Sequence, residues 1–289
     1  MQSLYEETKF LMKKYNISAS KSLGQNFLVD DNVVNNIIKS SNVGEEDLII
    51  EIGPGLGTLT NMLVQKAGRV IAIELDTRMI EILEDRFKLY NNFEIINDDI
   101  LKIDLNELIE NNKKKYELKN VKVVANLPYY ITTPIIMKLL EDNLNLDSII
   151  IMIQQEVAER LEAIPGTKLS GAITYSVYYY AEVEFITVVP NTSFVPAPKV
   201  NSEVIKLKVR NEPPVKLNSK NLFFDIIKAS FMQRRKTLIN ALVNSNIICS
   251  KDEAKEILNY LNIDENIRGE KLTIQEFAEL SNYIFEKSK

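Results

Sequence analysis

The run from Asp47 to Gly57, D-L-I-I-E-I-G-P-G-L-G, decides the fold class of this 289-residue chain. Its first half is a largely apolar stretch of strand length, and its second half carries three glycines within five residues. A helical pattern follows from Thr58 to Lys66. Gly53 and Gly55 stand where the chain must turn sharply and where a ligand can approach the backbone. The order of strand, glycine turn and helix predicts the first βαβ unit of a parallel sheet.

Acidic residues follow the next two strands of this predicted sheet. Glu74 comes directly after the strand from Arg69 to Ile73. It lies about twenty residues beyond the glycine turn, which is the spacing of a carboxylate that binds ribose hydroxyls. Asp99 follows the strand from Phe93 to Asn97 and is suitably placed to accept a hydrogen bond from an adenine amino group.

The ligand that these residues indicate carries no phosphate. The glycines are spaced G-x-G-x-G, whereas a dinucleotide fingerprint is G-x-G-x-x-G. Glu51, two residues before the first glycine, disfavours a phosphate and favours a cation. S-adenosylmethionine has a ribose, an ammonium group and a sulfonium but no phosphate. The glycine turn, Glu74 and Asp99 together therefore predict S-adenosylmethionine as the cofactor.

The tetrapeptide Asn126-Leu127-Pro128-Tyr129 follows a buried strand predicted from Val121 to Ala125. Pro128 ends that strand and biases Leu127 toward an extended conformation. The Asn126 side-chain oxygen and the Leu127 carbonyl can then accept hydrogen bonds from the amino group of an extruded adenine, which stacks on Tyr129. The other interpretation is a strand-ending turn with Tyr129 packed in the core. The tetrapeptide by itself leaves both interpretations open.

The side-chain composition narrows the possible chemistry. The chain has no histidine, so the commonest general base is absent. Its single cysteine, Cys249, cannot form an intramolecular disulfide, makes a cysteine metal site implausible and is expected to pack as a small apolar residue. Methylation at a pyrimidine C5 generally needs a cysteine nucleophile and is disfavoured. An amine nitrogen needs only orientation toward an electrophilic methyl group, and no metal is expected.

Periodicity divides the chain into two parts. Alternating strand and helix patterns through residue 161 predict a parallel sheet with helices on both faces. The β-branched runs Glu182–Val189 and Glu203–Val209 are expected to complete it as an antiparallel pair. Pro213-Pro214 marks a boundary, and only helical patterns follow, at 218–242, 251–261 and 273–286. The predicted domains are residues 1–212, which carry the catalytic site, and an all-helical 213–289.

The N-terminal sequence M-Q-S-L-Y-E-E-T-K-F lacks the apolar core of a signal peptide. No stretch of the chain approaches eighteen apolar residues. These observations predict a cytoplasmic protein without membrane contact.

The net charge of −5 argues against a uniformly basic nucleic-acid binder, but the charge is unevenly distributed. Residues 190–240 carry ten Lys or Arg residues against three acids, and residues 8–29 carry four lysines and no acid. We expect a phosphate-binding strip where these segments meet. Its candidate residues are Lys21, Arg234, Arg235 and Lys236. The alternative is that F-M-Q-R-R-K, residues 231–236, is a solvated helix face.

A proline-rich loop carries one further aromatic candidate. Phe194, with Pro196 and Pro198, makes a stiff arm that could bring its ring to the face of an adenine opposite Tyr129. The other interpretation is a rigid connector whose phenylalanine fills the core. The residues alone do not choose between the two.

Six blocks in fixed order resemble the rRNA adenine N6,N6-dimethyltransferase family: K-S-L-G-Q-N-F-L (21–28), E-I-G-P-G-L-G (51–57), I-A-I-E (71–74), N-D-D-I-L (97–101), N-L-P-Y (126–129) and F-V-P-A-P-K-V-N-S (194–202). The resemblance is closest to the bacterial small-subunit type. It implies an α/β, Rossmann-like, seven-stranded methyltransferase sheet with a small all-helical C-terminal domain, and it favours the stacking role of Phe194. The cofactor contacts that it implies are Asn26, Leu28, Gly53, Glu74, Asp99 and Asn126.

The resemblance also implies a reaction. Methyl groups would pass from S-adenosylmethionine to N6 of two adjacent adenines near the 3′ end of 16S rRNA, in a 30S assembly particle, with the enzyme acting as a monomer. The catalytic pocket would comprise Asn126, Leu127, Pro128, Tyr129 and Phe194. Three alternatives are a resistance-type methyltransferase of large-subunit rRNA, a non-catalytic RNA-binding assembly factor and a nicotinamide-dependent oxidoreductase. The intact N-L-P-Y with Glu74 disfavours the second, and the glycine spacing disfavours the third.

Overall fold

The computed structural model describes residues 3–288. The strands are β1 (Phe27–Leu28), β2 (Asp47–Ile52), β3 (Arg69–Glu74), β4 (Phe93–Asn97), β5 (Asn120–Asn126), β6 (Ser148–Gln154), β7 (Ala181–Val189), β8 (Phe194–Val195) and β9 (Ser202–Val209). The α-helices are α1 (Leu4–Lys14), α2 (Asp31–Ser41), α3 (Thr58–Leu63), α4 (Thr77–Phe87), α5 (Leu105–Tyr116), α6 (Thr132–Glu141), α7 (Gln155–Glu162), α8 (Ala172–Tyr180), α9 (Lys220–Met232), α10 (Leu238–Asn244), α11 (Lys251–Tyr260) and α12 (Ile274–Lys287).

Seven strands form the large sheet, in the order β4-β3-β2-β5-β6-β9-β7. The first five strands in this order pair in parallel, and the sixth, β9, is antiparallel to β6. In this register Ile52 of β2 lies opposite both Ile73 of β3 and Ala125 of β5. The next residues of the three strands therefore reach the sheet edge at one level: Gly53, Glu74 and Asn126. The predicted Rossmann-like sheet is confirmed.

The sheet core follows from the apolar runs in the sequence. Every residue of β2 and of β3 is buried. Such continuous burial is typical of parallel strands with helices on both faces, and it explains why these runs do not alternate between apolar and polar residues.

A second, two-stranded sheet was not predicted. β1 pairs antiparallel with β8, with Phe27 opposite Val195 and Leu28 opposite Phe194. Two-residue strands are too short to show a period in the sequence. Their pairing joins the N-terminal segment to the proline-rich loop.

Two sequence expectations about the C-terminal part were wrong, and one helix was missed. The predicted helix 218–242 is two helices, because Gln233 leaves the helical conformation (φ −125°, ψ 57°) and Thr237 caps α10. Helix α8 was missed, since its largely apolar sequence A-I-T-Y-S-V-Y-Y-Y has no clear polar face. Cys249 is exposed instead of packed, because it lies in the turn between α10 and α11.

The chain forms two compact units. One comprises the described residues through 158 together with 182–209, and the other comprises 159–181 together with 210–288. The predicted division after residue 212 did not place 159–181 with the C-terminal helices. Tyr175 of α8 explains the grouping, because its ring meets Phe277 of α12 edge-on and its hydroxyl donates to the Leu272 carbonyl (2.5 Å). Within residues 3–288, no helix combines the length and apolar character needed to span a membrane.

Glu51 is a buried acid in the centre of the first unit. It is 1% exposed in β2, and its Oε2 accepts a hydrogen bond from the Thr60 hydroxyl of α3 (2.6 Å). Burial raises its pKa from 4.5 to about 8, and the nearby Glu74 carboxylate contributes to the increase. The Glu51 side chain is therefore neutral in the folded protein at pH 7.

We expect Glu51→Gln to change the pH dependence of stability. The folded state retains a proton on Glu51 that the unfolded chain loses, so this group's stabilisation is complete below pH 4.5 and is lost as pH rises through about 8. A neutral glutamine keeps the Thr60 hydrogen bond and removes this loss. Chemical denaturation at several pH values measures how the free energy of unfolding changes with pH. Between pH 4.5 and 8 that slope should be less negative for the variant than for the wild type, by up to about 1.4 kcal/mol per pH unit. Equal slopes for the two proteins would show that Glu51 is ionised in the fold.

Candidate functional site

An open cavity lies at the carboxyl ends of β2, β3, β4 and β5, where ligands bind in open α/β sheets. The residues at these strand exits, the start of α3 and one N-terminal segment line it, in the ranges 23–28, 51–56, 58–59, 73–75, 98–100 and 126–131. All the predicted cofactor residues lie on its wall: Asn26, Leu28, Gly53, Gly55, Glu74, Asp99 and Asn126.

The glycine turn brings backbone to the cavity without side chains in the way. Gly53 and Gly55 have left-handed conformations, with φ of +65° and +57°. A Cβ on Gly55 would lie 3.3 Å from the Phe27 ring, so a side chain there would be both strained and crowded. Both residues donate their peptide N–H groups to β3. The Gly53 N–H donates to the Ile73 carbonyl (2.9 Å), and the Gly55 N–H donates to the Glu74 carboxylate (3.2 Å).

Glu74 is held in a fixed orientation at the end of β3. One carboxylate oxygen accepts from the Gly55 N–H (3.2 Å) and the other from the Asp76 N–H (2.8 Å). The side chain is 7% exposed, and burial raises its pKa above the ordinary value. Because each carboxylate oxygen has two lone pairs, both can still accept from a pair of vicinal hydroxyls.

The charge of the cavity is one-sided. Its lining includes the acids Glu74, Asp98 and Asp99, and no Lys or Arg of the described chain. Glu51 also lines the cavity, but it is neutral, so the expectation that its charge favours a cation was wrong. Asp99 uses one oxygen to cap the Leu101 N–H (3.0 Å). A phosphate would be repelled here, whereas a ligand carrying a cation would be attracted.

The N-L-P-Y segment is rigid at the exit of β5. The Asn126 amide nitrogen donates to the Asn26 carbonyl (3.3 Å), which leaves the Asn126 side-chain oxygen as an acceptor. The Leu127 N–H bonds to the Met152 carbonyl of β6 (3.1 Å). The Pro128 carbonyl accepts from the Thr132 hydroxyl (3.1 Å) at the start of α6.

Tyr129 lies on the cavity wall and is only partly buried. Its hydroxyl shares a hydrogen bond with the Ser202 hydroxyl of β9 (2.6 Å), and burial raises the pKa of the phenol. The ring is thus fixed at one end while its body lines the cavity. Of the two interpretations of this residue, the structure favours a cavity wall over a packed core aromatic.

Phe194 requires a correction. The structure places it in the core, 3% exposed, opposite Leu28 in the small sheet. It is not among the residues that line the cavity. The expected stacking arm is therefore a core-filling connector, because pairing with Leu28 holds Phe194 among the buried apolar residues.

The basic candidates lie in different environments. Lys21 is exposed in a turn of the first unit. The sequence suggested that Arg234, Arg235 and Lys236 lie on a helix. In the second unit they lie instead in the turn after α9. Arg234 donates to the Ser170 carbonyl (2.8 Å) and pairs with Glu270 (3.6 Å), so its charge is partly engaged within the protein.

A polar network behind Glu74 was missed in the sequence. Gln25 donates to Asp76 (2.8 Å), whose carboxylate also accepts two hydrogen bonds from the Arg78 guanidinium (2.6 and 2.9 Å). Asp76 is 6% exposed, and the Arg78 hydrogen bonds hold its pKa below the ordinary value. The only sequence signal was the position of Gln25 inside L-G-Q-N-F-L.

Comparison with known proteins agrees with this geometry. The sequence profile of the family described as "Ribosomal RNA adenine dimethylase" matches residues 16–286. Ribosomal RNA small subunit methyltransferase A of Alkaliphilus oremlandii is 48% identical over 282 residues, which cover 98% of this chain and 97% of that protein. The protein of the same name from Clostridioides difficile is also 48% identical, with coverage of 98% and 96%.

Solved structures share the architecture. A dimethyladenosine transferase from Plasmodium falciparum superposes with a TM-score of 0.75 at 25% identity, covering 91% of this chain and 98% of the other. The 23S rRNA methyltransferase ErmE superposes with a TM-score of 0.67 at 21% identity, covering 90% and 100%, which is a likeness of fold. With the family match over nearly the whole chain, the conclusion is that this chain belongs to the ribosomal RNA adenine dimethylase family and is an S-adenosylmethionine-dependent methyltransferase.

Proposed function

We propose that this chain dimethylates N6 of two adjacent adenines near the 3′ end of 16S rRNA, within a 30S assembly particle. The observation that carries the proposal is the Asn126 side-chain oxygen, oriented by the Asn26 carbonyl at the end of an acid-lined cavity. Curated relatives of nearly the same length are named small subunit methyltransferases, which favours the small over the large subunit. We further propose that the protein acts as a monomer in the cytoplasm, where its ribosomal substrate is found.

The cavity fits S-adenosylmethionine on three counts. Glu74, held by two N–H groups, would bind the ribose hydroxyls. Asp99 would accept from the adenine amino group, and the glycine turn would let the amino-acid part approach the backbone. The acidic lining suits the ammonium and sulfonium charges. Bound there, the cofactor would supply a methyl group that is electrophilic because it is attached to a positively charged sulfur.

The protein's own part in the reaction is orientation. The Asn126 side-chain oxygen and the Leu127 carbonyl would each accept one hydrogen of the target amine and draw its nitrogen from planar toward tetrahedral geometry. That geometry frees the nitrogen lone pair for an in-line displacement. Tyr129, fixed through Ser202, would stack on the adenine ring. The resulting ammonium loses its proton to water, so no general base is required.

Asn126→Ala should lower the turnover number by at least about tenfold, since orientation is the main catalytic device in this pocket. Binding of S-adenosylhomocysteine should change little. The assay measures tritiated methyl transfer to under-methylated 30S subunits, to naked 16S RNA and to naked 23S RNA. Asn35→Ala, an exposed asparagine on α2, is the matched control.

Each outcome of this assay decides between proposals. Transfer to 30S subunits by the wild type, lost in Asn126→Ala and kept in Asn35→Ala, supports the proposal. Transfer to 23S RNA alone would favour the resistance-type activity. No transfer to any substrate, with retained binding to the subunit, would favour a non-catalytic assembly factor.

Glu74→Ala should weaken cofactor binding by about 1.5–3 kcal/mol, the range for hydrogen bonds to a charged group. Because the pKa of Glu74 is raised, wild-type affinity should also decline as pH falls through that pKa. Calorimetry with S-adenosylhomocysteine measures both effects, with Glu81→Ala on α4 as an exposed acidic control. Unchanged affinity in a folded Glu74→Ala protein would remove this residue from the site.

The exposed cations Arg235 and Lys236 should act on RNA affinity alone. Replacing both with Ala should reduce the dependence of log affinity for 30S subunits on log salt by up to about two units, one for each phosphate contact. Arg234→Ala should also lower the melting temperature, since it removes contacts to Ser170 and Glu270. The charge-matched control is Lys251→Ala with Lys255→Ala on α11. A salt slope equal to that of the wild type would contradict the assignment of Arg235 and Lys236.

A further inference from the structure

Tyr130 is a large aromatic side chain that the reaction described above does not use. It lines the cavity beside Tyr129, but it is 53% exposed. Its hydroxyl has no hydrogen-bond partner in residues 3–288, in contrast to the Tyr129 hydroxyl on Ser202. About half of this residue's surface is therefore exposed to solvent beside the target pocket.

One side of this ring has a support. Gly24 lies against it in a left-handed conformation (φ +61°), and a Cβ on Gly24 would be 3.4 Å from the Tyr130 Cδ1. A side chain at position 24 would be strained by the left-handed backbone, and its Cβ would touch the ring. The Ser20–Gln25 turn thus passes beside the Tyr130 ring at Gly24.

The turn is itself rigid and tied to the sheet. The Gln25 N–H donates to the Ser20 carbonyl (3.1 Å), and the Ser20 N–H donates to the Gln25 side-chain oxygen (2.8 Å). The Gln25 side-chain nitrogen bonds to the buried Asp76 carboxylate (2.8 Å), which Arg78 holds in place. Both ends of the Gln25 amide are used, so the turn beside Tyr130 is preorganised.

The charge of the cavity determines what can reach this ring. The acids Glu74, Asp98 and Asp99 line the cavity, so the neutral base of the target nucleotide can enter while the phosphates on either side stay outside. The neighbouring base must then lie near the rim. Single-stranded bases bind proteins by stacking on exposed aromatic rings, with cations on the adjacent phosphate. The Ser20–Gln25 turn carries such a cation in Lys21, which is exposed.

We propose that Tyr130, supported by the Ser20–Gln25 turn, forms a subsite that stacks the base next to the target adenine in the RNA. The subsite deepens the proposed function and depends on it, because it needs an extruded adenine in the cavity. It contributes RNA affinity and the placement of the strand, and it takes no part in cofactor binding.

The test compares Tyr130→Ala, Tyr130→Leu and Tyr130→Phe in the full-length protein. Loss of one stacking contact should raise KM for under-methylated 30S subunits by about tenfold, within the range measured for base stacking on aromatic residues. The turnover number and the affinity for S-adenosylhomocysteine should stay at wild-type values. Leucine keeps apolar bulk against Gly24 without a flat ring, so it should behave like alanine. Phenylalanine should restore the wild-type KM.

Tyr5→Ala is the matched control, since Tyr5 is 49% exposed on α1 and lies outside the cavity lining. A wild-type KM in both Tyr130→Ala and Tyr130→Leu would overturn the subsite while leaving the methylation itself intact. Weaker binding of S-adenosylhomocysteine in Tyr130→Ala would also overturn it, by assigning the ring to the cofactor site. No methyl transfer by the wild type would instead contradict the proposed function.

Discussion

The parallel pairing of β2 with β3 on one side and with β5 on the other is the constraint on which the site depends. Ile52 lies opposite Ile73 and Ala125, so Gly53, Glu74 and Asn126 reach the sheet edge together. Adjacent strands are about 4.8 Å apart, which places the Glu74 and Asn126 backbones about 10 Å from each other on either side of the glycine turn. A shift of one residue in either pairing would separate the Glu74 carboxylate from the Asn126 amide.

The acidic cavity imposes a second constraint on an enzyme that acts on RNA. Glu74, Asp98 and Asp99 suit a cationic methyl donor, but they repel a phosphate backbone. Only the uncharged base can be brought to Asn126, which is consistent with a base extruded from its stack. The cations that would hold the backbone must then lie outside the cavity, as Lys21, Arg235 and Lys236 do. This division explains how a chain with net charge −5 can have an RNA substrate.

The sequence predicted those parts of the structure that local patterns determine. Apolar runs and strand-exit residues were sufficient for the parallel sheet and for the convergence of Glu74, Asp99 and Asn126, because parallel strands present their carboxyl ends at one edge. The residues left the role of Phe194 open, because a proline-rich loop has no period that reports burial, and the family resemblance favoured stacking. Its position depends on pairing with Leu28, a residue far away in sequence. The break at Gln233 was missed because it depends on local backbone geometry that residue type alone does not reveal. The Gln25–Asp76 hydrogen bond was missed because it joins residues that are far apart in the sequence.

The central claim is that one strand register creates one cofactor site between Glu74 and Asn126. The most direct measurement is a crystal structure of the full-length protein with S-adenosylhomocysteine bound. The expected result has both ribose hydroxyls within hydrogen-bond distance of the Glu74 carboxylate and the ligand sulfur on the side of the cavity where Asn126 lies. A ligand whose ribose lies away from Glu74, or whose sulfur points away from the N-L-P-Y segment, would contradict the account.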